Sequence, residues 1–151
     1  MNTQVDIAVY SPTGQLVLAV EVKSVTNRSL EWAAQMRQNL LTHGFIPNTG
    51  YFLLALPDYL YFWHDADPYE MTMPDHTIKT ADAFTLSHYN TKVSLIDISG
   101  YGLEILITSW LEYLINTNFT RDDFDEKLHW LFDSGLYSSL KNSVIAAEIP
   151  V

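Results

Sequence analysis

The chain has 151 residues, 48% of them hydrophobic and 13% aromatic, enough to build the core of one domain. It contains no cysteine, which excludes disulfides, cysteine-ligated zinc and thiol nucleophiles. Eight basic residues against eighteen acidic ones give a formal charge of −10, so a broad basic surface for tight, autonomous nucleic-acid binding is not expected.

The N-terminus carries no basic segment followed by an apolar run, so a secretory leader is not expected and the cytoplasm is the expected compartment. Val5 to Tyr10 alternates as a strand, with Val5, Ile7 and Val9 on one face and Asp6, Ala8 and Tyr10 on the other. Ser11-Pro12-Thr13-Gly14 is a tight-turn sequence. Leu16 to Lys23 is a second strand, placing Val17, Ala19, Glu21 and Lys23 on one face and Leu16, Leu18, Val20 and Val22 on the other. A two- or four-residue connection predicts Tyr10 opposite Gln15 and Asp6 opposite Ala19, with Asp6 diagonal to Glu21 on a shared face. An odd-length loop without a bulge would separate the two acids, because a one-residue slip inverts every side chain.

Ser29 to His43 has helical spacing, with Leu30, Ala33, Ala34, Leu40 and Leu41 forming an apolar stripe around Arg37. A cation at that position requires a carboxylate, phosphate or carbonyl partner; snorkelling past the sheet edge is favoured over reaching Asp6 and Glu21. Gly44 ends the helix. Tyr51 to Leu56 and Leu60 to Trp63 read as strands, with Tyr59, Tyr61 and Trp63 alternating as a packed aromatic face or a platform for bases. Ala66 to His88 reads as an irregular excursion, and Lys92 to Ile98 as a returning strand. The apolar run Leu103 to Ile115 has helical spacing, is interrupted by Glu104, Thr108 and Glu112, and is too short to cross a bilayer. Phe124, Leu128, Leu131 and Phe132 continue the helical pattern after a Thr120–Asp123 capping box, Gly135 closes it, and Leu136 to Ile149 is a final element of undetermined type.

Two carboxylates on one face with an ammonium one pleat beyond suit a hard divalent cation, which takes oxygen ligands and leaves room for water and phosphate. Asp6, then Glu21-Val22-Lys23, the helix from Ser29 and the strand Tyr51 to Ala55 together resemble the catalytic core of the PD-(D/E)xK, or restriction-endonuclease-like, nuclease superfamily; Ala55 to Trp63 resembles a segment of uncharacterised, largely cyanobacterial members. The resemblance covers about Val5 to Trp63, and Val5 stands where the superfamily's name records a proline. It implies a mixed α/β domain over residues 1–151: a central sheet flanked by helices, with its core at about 5–98 and a helical C-terminal addition at about 99–151. It further implies a magnesium- or manganese-dependent DNA endonuclease in which Asp6 and Glu21 ligate the metal, Lys23 positions water or offsets charge, and Gln35 supports the site. The superfamily core opens with a helix and a strand before the aspartate; here their place must be taken by later segments or a partner chain, or else the domain is pared down and inactive. The competing expectation keeps this fold as a non-catalytic interaction module or the subunit of a homodimer.

Overall fold

A computed structural model of the chain describes residues 5–84, 95 and 97–147. Six strands form one mixed sheet in the order β5-β4-β3-β2-β1-β6, with helices on both faces. The strands are β1 (Ile7–Tyr10), β2 (Leu16–Val22), β3 (Tyr51–Ala55), β4 (Tyr59–His64), β5 (His76–Lys79) and β6 (Val144–Ala147). The helices are α1 (Leu30–Thr42), α2 (Thr80–Ala83), α3 (Gly100–Asn116), α4 (Trp130–Asp133) and α5 (Leu136–Leu140). Among the described residues, no helix is long and apolar enough to cross a membrane.

The β1–β2 hairpin differs from the predicted register. Gly14, at φ +84°, lets the Ser11–Gly14 turn close, and the Ser11 amide donates to Gln15 O, leaving a three-residue loop. Alone, that odd loop would put Asp6 and Glu21 on opposite faces. A bulge in β2 supplies one extra residue: Tyr10 pairs with Leu16, but Val9 pairs with Leu18 and Ile7 with Val20. Ala8, not Asp6, therefore pairs with Ala19. The bulge also exchanges two side chains, so that Leu16 packs with Tyr10 on the α1 side and Val17 joins Leu18 on the other.

Helix α1 connects the parallel strands β2 and β3 as a βαβ unit. Its ends are local chemistry: Ser29 Oγ accepts the Trp32 amide at 3.1 Å, and Gly44, at φ +72°, reverses the chain while Phe45 N donates to Leu40 O. Ala33 and Leu40 pack against Ala8, Ala19, Phe52, Leu54, Tyr61 and Trp63 on one sheet face. The opposite face receives Leu103, Ile107, Trp110 and Leu111 of α3 and Leu131, Leu136 and Leu140 of α4 and α5.

Three further expectations change. The stretch from Ala66 to His88 contains a strand and a helical turn, β5 and α2, which Thr80 ties to the sheet by donating Oγ1–H to Leu56 O at 2.7 Å. The helix expected through Phe124 to Phe132 breaks into two 3-10 turns, at Arg121–Asp123 and Glu126–Leu128, followed by α4. Phe119, Phe124, Phe132 and Tyr137 cluster instead, with ring centroids 4.6–6.2 Å apart. The final element is α5 followed by β6, which pairs antiparallel with β1. Of the strand expected at Lys92–Ile98, most lies outside the described residues.

Candidate functional site

Continuing the β1–β2 register by one residue sets Asp6 directly opposite Glu21 rather than diagonal to it. Asp6 lies one residue before β1 and uses its side chain where a strand carbonyl would stand: Oδ2 accepts the Val22 amide at 2.7 Å. Glu21 is only 5% exposed, on the same face as Ala19. Its carboxyl is pushed up to about 8, first by burial, then by its hydrogen bond to Asp6 and by the negative charge there. The shift favours the uncharged form of Glu21 beside Asp6. Lys23 acts in the opposite sense, its ammonium drawing Glu21 down, and it is held just past the strand end by its own amide, which donates to Ala55 O at 3.0 Å.

A fourth residue enters from far along the chain. Glu104, in the second turn of α3, adds negative charge that raises Glu21 further. Sequence reading treats Glu104 only as an interruption of an apolar run; the available signal was an acid placed beside the buried Leu103 at the start of an otherwise apolar helix.

Gln35 is not gathered into this group. It lies on the exposed side of α1, and its amide donates to Asn39 Oδ1 at 2.8 Å. Arg37 is buried at 4% exposure but turns towards the other end of the sheet face, lying over Trp63 at 5.9 Å. Its Nη2 donates to the carbonyls of Ala66 and Asp67 at 3.4 and 3.3 Å, and burial pulls its pKa down. Tyr61 and Trp63 are each 1% exposed within the α1-side core, whereas Tyr59 is half-buried, so of the three alternating aromatics only Tyr59 offers much of its surface. His64 ends β4, with Asp65 in the left-handed region at φ 53°, and makes ring contacts with Phe62 and His76.

Asp6 and Glu21 make an all-oxygen donor set of two adjacent carboxyls, the kind a hard cation takes together with water and phosphate. No group of three or more acid or histidine side chains able to hold a metal occurs among the described residues. Two carboxyls do not make a closed all-protein cage; a hard cation held there would take its remaining ligands from water or phosphate. Comparison with protein-family models, with curated proteins and with solved structures returned no match.

Proposed function

We propose that this chain hydrolyses phosphodiester bonds in DNA with a divalent metal, on a restriction-endonuclease-like core in which Asp6 and Glu21 hold magnesium or manganese. The observation that carries the reading is the carboxyl pair: two acids opposite each other on neighbouring strands, one buried and pushed up to about 8. A cation would relieve the unfavourable charge between the two carboxyls. When bound, the ion supplies Lewis acidity at a phosphoryl oxygen and a more acidic water.

The chain's own residues do the positioning. The Val22 amide fixes the direction of the Asp6 carboxyl. Lys23, without an ion pair among the described residues, supplies positive charge for a transition state centred on phosphorus or for the attacking water. For the strand and helix that the resemblance calls for, later segments offer counterparts: β6 lies beside β1, and α3 brings the charge of Glu104. These counterparts support the reading.

Nicking of supercoiled plasmid with magnesium or manganese tests it. The intact protein should nick, and Asp6→Ala and Lys23→Ala should both abolish the activity; nicking that survives both substitutions removes the proposal. An interaction module retaining the same fold is the second reading, favoured by the formal −10 charge and by the exposed Tyr69, Met71 and Met73 between β4 and β5. It prevails if the intact protein leaves plasmid untouched with either metal.

A further inference from the structure

Three adjoining concavities of about 420, 390 and 370 Å³ run along β4 and β5, and Tyr59 lines all of them. Thr77 and Lys79 continue the lining from one to the next. Arg28 stands at one end, Lys127 lines the middle concavity, and Thr26 and Asp58 stand at the other end. Three cations, Arg28, Lys79 and Lys127, thus face two carboxylates, Asp58 and Asp82, in a chain whose overall ratio is eight to eighteen. One Asp58 oxygen is already occupied by the Asn27 amide at 2.8 Å, and Asp82 lies 3.7 Å from Lys127. Lys79 is exposed and makes no ion pair among the described residues. Tyr59 packs at 6.4 Å from the buried Tyr61 ring, which steadies it, while Tyr61 Oη donates to Arg28 O at 3.1 Å and fixes that end of the groove.

One end of the groove is tied to the segment that follows Lys23. Lys23 N donates to Ala55 O, and the Asn27 amide to Asp58 Oδ2, so the connection leaving Lys23 is fastened alongside the turn leading into Tyr59. Thr26, three residues beyond Lys23, lines the concavity of about 420 Å³. A positive track with an aromatic wall is how proteins hold a nucleic-acid strand whose bases are free to stack. A duplex presents phosphates but no free base face to Tyr59.

We infer that this Tyr59-centred groove is the track for a single-stranded segment of DNA, with a base stacked on Tyr59 and phosphates at Arg28, Lys79 and Lys127, leading the backbone towards Asp6, Glu21 and Lys23. The inference rests on the phosphodiesterase reading for what lies at the end of the track, but binding can be measured without chemistry. Fluorescence anisotropy of a labelled oligothymidylate, in buffer with chelator and no metal, should show saturable binding that salt weakens. Tyr59→Leu and Lys79→Gln should each weaken it by about 5- to 10-fold, and a duplex of equal length should bind less tightly. Asn48→Asp, a change of the same charge as Lys79→Gln on the exposed loop before β3, should leave binding unchanged. Circular dichroism confirms folding, and the exposed Lys79 keeps the test valid should Tyr59→Leu not fold. No binding by the intact protein, equal binding by Lys79→Gln, or tighter binding of the duplex each overturns the groove. Groove-dependent binding by a protein that never nicks plasmid sinks the phosphodiesterase and leaves the groove standing; nicking that is indifferent to Lys79→Gln does the reverse.

Discussion

The two faces of the sheet are built differently. One is covered by α3, α4 and α5 and packed with leucine, isoleucine and aromatic side chains. The other is covered by α1, and it is there that the two buried acidic or basic residues, Glu21 and Arg37, are found among the described residues. A buried charge costs stability unless it is neutralised or paired. The apolar face therefore holds the fold together, while the α1 face bears a cost that chemistry at the end of the sheet would explain.

Four measurements can break or sharpen that contrast. The largest effect belongs to the apolar face: Leu111→Ala, at a fully buried position of α3, should cost about 2–5 kcal/mol in urea unfolding. A much smaller loss would mean that α3 is not the main cover of the sheet.

The pH dependence of stability reports on the other face. Glu21 binds its proton more tightly folded, at about 8, than at its ordinary value of 4.5. Its contribution is thus fully present below about 4.5 and is lost as pH rises through about 8. Glu21→Gln should flatten this decline, and magnesium should restore stability to the intact protein above pH 8 without affecting the variant. A decline that is the same in the variant would assign it to other groups.

Deleting Val17 tests the hairpin. Val17 is the extra residue of the bulge, so its removal leaves Leu18 opposite Val9 and Asp6 opposite Glu21. The deletion should cost about 1 kcal/mol of packing and preserve the pH decline attributed to Glu21. Loss of that decline would show that the bulge also aims the acids.

The smallest effect is expected at Arg37. Its Nη1 has no hydrogen-bond partner and its two carbonyl contacts are long. Arg37→Met should change stability by less than about 1 kcal/mol, since replacing a poorly paired buried ion with an apolar side chain is often neutral. A loss of about 3 kcal/mol would instead assign it a strong ionic partner.

How much of this could be read in advance depended on the range of the interactions. Helix α1 was legible almost to its ends because Ser29 and Gly44 act within one turn of the chain. The shared face of Asp6 and Glu21 was anticipated with the wrong partners: the expected pairing was two residues off, and an even shift preserves the face. The bulge left no mark, because Leu16, Val17 and Leu18 are all apolar and suit either side of a sheet buried on both. Strand β5 was missed because His76-Thr77-Ile78-Lys79 is short and polar, as an edge strand can be. The broken helix after Asn116 was hidden because Phe124, Leu128 and Phe132 satisfy helical spacing while serving an aromatic cluster.

By itself, then, the sequence determined which segments become strands and helices near the N-terminus, and singled out Asp6, Glu21 and Lys23 as a candidate group, because alternation and caps are local properties. Only the tertiary structure decided the register that sets Asp6 opposite Glu21, the placement of β6 beside β1, and the approach of Glu104. The proton on Glu21 belongs to this second class, since it depends on burial and on charges fifteen and eighty-three positions away in the chain, which have no meaning before the chain has closed on itself.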